Sequence, residues 1–150
     1  MWLDAILAYL HYLSIFMLFG FLLVQAIFVG RPLDAATIRF LGRLDIGYFG
    51  AAAAALVTGF LRAIYGAKGP DFYFDAWPIY VKIGLFLAIG MISIKPTLTF
   101  IQWRRMLDHD PAWKVPPEEQ RKIRRLVMIE AHLAVLIPVF AVIMARGLGR

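Results

Sequence analysis

The chain has 150 residues, 61% of them hydrophobic and 17% charged, with 16 Lys and Arg against 10 Asp and Glu for a net charge of +6. Soluble domains average about 45–50% apolar and ~25% charged, so the apolar excess is too large for one soluble core and the composition excludes disorder. No cysteine occurs, which excludes disulfides, thiolate chemistry, Cys-based zinc sites and iron–sulfur clusters.

Four apolar stretches are long enough to cross a hydrocarbon core of about 30 Å, which takes roughly 20 helical residues. The first, residues 5–29, is broken only by His11, Ser14 and Gln25. It is too long for a cleavable leader, lacks a basic start and is followed by no small-x-small cleavage site, so it reads as a retained helix. The second, 46–65, is nearly free of side chains around Gly47, Gly50, the alanines 51–55, Thr58 and Gly59, as suits close helix packing in lipid. A breaker cluster, Gly66-Ala67-Lys68-Gly69-Pro70-Asp71, ends it. Phe72, Tyr73, Phe74 and Trp77 then form a group suited to the headgroup interface. The third stretch is 77–94. Pro116-Pro117-Glu118-Glu119 marks a helix start in water, leading to the fourth stretch, 126–145. Pro96 and Pro138 predict bends in the last two helices. Backbone groups in lipid must be satisfied internally, so the expected class is all-α: an integral membrane four-helix bundle forming a single domain over 1–150.

The cations are unevenly placed. Arg31, Arg39 and Arg43 follow the first span, and Lys95, Arg104, Arg105, Lys114, Arg121, Lys122, Arg124 and Arg125 follow the third. These eleven share one side, against Arg62, Lys68, Arg146 and Arg150 on the other. The positive-inside tendency therefore predicts cytoplasmic long loops and periplasmic termini in a bacterial inner membrane. The run 121–125 is expected to lie against anionic lipid at the cytoplasmic face, with no role in nucleic-acid binding.

Ionisable groups inside spans are costly and point to function. His11 lies seven residues past Asp4 and Lys82 seven past Asp75, so both should sit about 10 Å below the same boundary. Arg62 is about one turn shallower. Together they predict a cationic layer with no carboxylate inside the spans at that depth. His11 is a candidate ligand for a haem iron, and Lys82 or Arg62 for a propionate. Snorkelling of Lys82 and a plain interhelical bond from His11 are the alternative. On the other side, His132, Gln25, Asp45 and Glu130 should share a level. Glu130 and His132 are two apart, about 200° around a helix, so they cannot face one neighbour. His11, Ser14 and Gln25 should share a face turned to the bundle interior. His109, between Asp108 and Asp110, reads as a solvated turn.

Leu7-Ala8-Tyr9-Leu10-His11-Tyr12-Leu13, Arg43-Leu44-Asp45, Thr58-Gly59-Phe60-Leu61-Arg62, Val81-Lys82-Ile83, Ser93-Ile94-Lys95-Pro96-Thr97, Glu130-Ala131-His132-Leu133 and Met144-Ala145-Arg146-Gly147 resemble a family of small four-span bacterial membrane proteins of unknown function, the DUF2214-like family. The resemblance covers nearly the whole length. More distantly, His11, Arg43, Gly59 and Lys82 resemble positions of the HemJ-type protoporphyrinogen oxidases and CopD-like membrane domains. That likeness implies haem b, with His11 as axial ligand and Lys82 at a propionate or substrate. The Trp and Pro-Arg features of the HemJ-type first helix are missing, where Gly20 and Gln25 occur instead.

The expected function is thus a haem b-binding, redox-active membrane protein whose cofactor-binding candidates are His11, Lys82, Arg62 and His132. Two other classes stay open: a non-catalytic accessory or assembly subunit, in a homo-oligomer or larger membrane complex, and a small-solute or proton-coupled transport module. The residues leave open whether the chain is an enzyme.

Overall fold

The structure, a computed structural model, describes residues 2–148. Four long helices, α1 (Trp2–Phe28), α2 (Ala35–Tyr65), α4 (Pro78–His109) and α5 (Pro117–Ala145), are each long and apolar enough to cross a membrane, and a short α3 (Gly69–Phe74) lies between α2 and α4. At 1.5 Å per residue they run roughly 40–48 Å, well past a ~30 Å core. This explains the main difference from the predicted spans. The apolar stretches mark only the lipid-buried part, and the helices continue into the polar boundary. Arg39 and Arg43 therefore ride on α2, and Lys95, Arg104 and Arg105 on α4, rather than in loops. The 66–74 segment is likewise more ordered than a breaker alone would make it. Gly69 takes a left-handed φ of 75° that starts α3, and a Cβ on Gly66 would run into the Arg62 carbonyl. Both α4 and α5 continue as helices through Pro96 and Pro138.

The main helix contacts form a ring, α1–α2, α2–α4, α4–α5 and α5–α1, with α1–α2 and α4–α5 packed most extensively. One end of the bundle carries residues 2 and 145, hereafter the termini end. The other, the loop end, carries the connections 29–34 and 110–116. On α1 the buried positions are Leu7, Ser14, Leu18, Leu22 and Gln25, a helical stripe with His11 half-buried in line. That agrees with the face expected from the sequence. Large apolar side chains such as Phe16, Leu23, Ile46, Leu87, Met91 and Val139 point outward, as lipid contact requires.

The main core occupies the middle and the loop end. Trp103 and Phe100 of α4, edge-to-face at 5.7 Å, pack with Ile38, Leu41, Val29, Ile123 and Val127. A small second cluster of Ala76, Ile79 and Met144 sits at the termini end. Glycine lets α1 and α2 approach closely, since a Cβ on Gly47 would come within 2.6 Å of the Phe21 ring. At the loop end, Asp34 caps α2 by accepting from the Thr37 N–H at 2.7 Å. The Thr37 hydrogen bonds hold its carboxyl below the ordinary range. Gln120 of α5 donates to the Val29 and Arg31 carbonyls at 2.9 and 2.8 Å. It thereby satisfies acceptors that the C-terminus of α1 leaves open. Arg124 lies over Gly30, its Nε 3.2 Å from where a Cβ would be, a favourable place for a cation beside a helix C-terminus.

Candidate functional site

At the termini end, His11 packs edge-on against α2. A Cβ on Gly59 would lie 3.0 Å from His11 Cε1, so the glycine makes room for the ring. His11 Nδ1 is 3.1 Å from the Ala55 carbonyl and 3.2 Å from Thr58 Oγ1. Thr58 Oγ1 itself donates back to the Ala54 carbonyl at 2.6 Å, which commits its hydrogen. A carbonyl can only accept, so Nδ1 carries the proton and Nε2 is left as the acceptor nitrogen of the ring.

The structure brings Arg62 and Lys82 to this ring, as the depths along α1, α2 and α4 predict: both interact electrostatically with His11 and with each other. Arg62 stacks its guanidinium 5.0 Å from the centre of the Tyr12 ring, and its buried Nε has no hydrogen-bond partner. Among the described residues, no carboxylate forms an ion pair with either cation. Asp4, at the start of α1, accepts from the Ala67 N–H at 3.1 Å. Lys68 stands apart, over the Phe72 ring at 4.2 Å.

His132 does not join this group. It is exposed, with Nδ1 2.6 Å from the Met128 carbonyl one turn back on α5. Glu130, two positions earlier, is buried at 2% exposure, so the two do face opposite ways. Among the described residues no three of His, Asp and Glu gather as a metal cluster, and His11 would be a single protein ligand.

A second polar layer lies in the main core. Gln25 donates to Asp45 at 3.1 Å, and the Thr97 hydroxyl faces Asp45. Tyr48 donates to Glu130 over a long 3.5 Å, and Ser93 lies beside Tyr48 while donating to the Gly90 carbonyl at 2.8 Å. Gln25, Asp45 and Glu130 were legible as a level from sequence. Tyr48, Ser93 and Thr97 were not singled out, although Tyr48 follows Asp45 by three and Thr97 follows Ser93 by four, the spacing of one helix face.

Helices of this length and apolarity, with polar layers turned inward, define a multi-pass membrane helical bundle. Residues 3–149 match the family described as predicted membrane protein DUF2214, and the chain belongs to it. No curated protein and no solved structure matches the chain.

Proposed function

We propose that the protein is a membrane-bound redox protein that holds haem b at the cationic layer of the termini end. His11 would hold the iron, and Lys82 and Arg62 would meet the acidic groups of the haem. The observation that carries this reading is the geometry of His11. Its Nδ1–H is committed to the Ala55 carbonyl, the kind of second bond that fixes the ring of a ligating histidine. Two half-buried cations that form no ion pair among the described residues lie beside it, and partial burial of such charges favours a ligand with acidic groups.

The donor set suits haem, and the surrounding space limits where it fits. One cavity lies between α2 and α4 at the loop end, and another beside the 110–116 loop. Neither is bordered by His11, Lys82 or Arg62. Gly59 closes the α2 side of the ring. The macrocycle would therefore lie against the half-exposed flank of the bundle, towards lipid or a second copy, and His132 takes no part. Bound haem supplies one-electron transfer. The chain's own residues fix the imidazole through Ala55 and Thr58 and neutralise two acidic groups through Lys82 and Arg62. In this reading the basic loop end faces the cytoplasm of a bacterial inner membrane, the termini face the periplasm, and the rim of cations on α4 and α5 lies on anionic lipid.

A Soret band and a positive pyridine haemochrome assay in the purified protein, lost in His11→Ala with helical content intact, bear this out. A haem-supplemented, folded protein without a Soret band overturns it. A second reading, an accessory subunit of a larger complex, is favoured by the exposed strip of Gly50, Ala53, Ala54 and Val57 on α2, where another helix can approach closely. It predicts stable co-purification and tolerance of His11→Ala.

A further inference from the structure

The buried layer near the loop end has a charge problem that the cationic layer does not solve. His11 and Gln25 are fourteen residues apart on α1, about 21 Å along the axis. Asp45 is 7% exposed and Glu130 2%, and the two carboxyl groups interact electrostatically. The groups around them are Gln25 from α1, Tyr48 from α2 and Ser93 and Thr97 from α4. All of these are uncharged. Arg104, a cation that borders the cavity beside Asp45, is exposed. Among the described residues neither carboxyl has a salt bridge. Two carboxylates held in a low-dielectric layer without a cation penalise each other strongly. One proton between them removes that penalty, and such pairs titrate as a unit.

Two further observations point to exchange with the outside. Glu130 Oε1 is buried with no hydrogen-bond partner. An orphaned carboxyl oxygen in a core is costly unless it carries or receives a hydrogen. A cavity of about 300 Å³ between α2 and α4 has Asp45 and Thr97 in its lining, with Gly42, Ile46, Phe49 and Arg104 also bordering it. It reaches from Arg104 to Asp45, and a volume of that size admits several waters.

We infer that Asp45 and Glu130 form a proton-exchange site, loaded and unloaded through the α2–α4 cavity. Asp45 is the member in contact with the cavity. Glu130 is the enclosed member, and the Tyr48 hydroxyl donates to it. The ligand is a proton from water at the loop-end boundary, and no redox or covalent step is involved.

The test is infrared difference spectroscopy of the full chain in lipid nanodiscs, in light and heavy water, from mildly acid to mildly alkaline pH. The expected result is a protonated carboxylic-acid band in wild type that shifts down in heavy water and disappears in Glu130→Gln. In Asp45→Asn the pH at which the band disappears moves. Gly42→Leu places a side chain into open space, since no atom lies within 4 Å of its Cβ position. It should leave the band in place and slow its deuterium shift severalfold. The near-isosteric variants are checked for helical content, so a lost band is not mistaken for a lost fold. Absence of the band in folded wild type, its survival in Glu130→Gln, or unchanged exchange in Gly42→Leu overturns the inference. So does displacement of the band by sodium but not potassium, which would mark a metal-cation site instead.

Discussion

Gln120 ties the start of α5 to the end of α1, and replacing it tests whether side-chain capping closes the bundle. Its carboxamide nitrogen donates to the Val29 and Arg31 carbonyls, and Val29 is fully buried. Each such bond contributes about 0.5–1.5 kcal/mol net, so losing both costs roughly 1–3 kcal/mol. Gln120→Met keeps the length of the side chain and removes the donor, which isolates the hydrogen bonds from packing. For a chain of this size 1 kcal/mol corresponds to about 2–4 °C, and a mid-range loss of about 2 kcal/mol lowers the midpoint by roughly 4–8 °C. The assay is thermal unfolding in detergent followed by circular dichroism, paired with amide exchange at the end of α1. Exchange should accelerate around residues 29–31 before it does so elsewhere. A Gln120→Met variant as stable as wild type, with unchanged exchange there, refutes the reasoning.

Three other outcomes are expected. Trp103→Ala should destabilise by about 3–5 kcal/mol through the cavity it leaves. Trp103→Phe should cost less than about 1.5 kcal/mol, because it also removes an indole N–H that is buried without a partner; detergent unfolding compares the two. The Arg39–Asp108 pair, 2.9 Å apart with both side chains about half exposed, should contribute less than about 1 kcal/mol in a double-mutant cycle and fade in high salt. The Asp34 cap should show an acid dependence. Its carboxyl is held below the ordinary range by Thr37, so its stabilisation is full above the unfolded carboxylate value and is lost as pH falls through the lowered one. Amide exchange in the first turn of α2 should therefore quicken on acidification, and Asp34→Ala should abolish that change.

Much of the architecture was legible because lipid imposes simple demands. Apolar runs of span length can only be helices there, and the 7-14-18-22-25 stripe of α1 shows its inner face directly. The depths of His11, Lys82 and Arg62 followed from residue counts, and these three meet as counted. Helix ends were less legible. Hydropathy falls at the lipid boundary whereas hydrogen bonding continues, so the last turns of α4 looked like loop. The short α3 was hidden because Gly69 and Pro70 read as breakers when they in fact start a helix. Gln120 carried no signal either, since a polar residue in the first turn of an amphipathic helix is ordinary until its partner across space is known. His132 shows the limit of depth counting: a residue's level follows from its position, while the direction it faces depends on which side of α5 meets its neighbours.

The two apolar clusters differ in size, and this has a kinetic consequence. The aromatic core around Trp103 joins all four long helices across the middle and loop end, while the cluster of Ala76, Ile79 and Met144 joins only the last helices and the α3–α4 turn. Cooperative opening begins where fewest buried contacts must break. The termini half, with His11, Arg62 and Lys82, is therefore the subglobal unit that opens first, and the carboxyl pair lies in the part that opens last. A large ligand of the kind proposed for His11 would enter the first without disturbing the second.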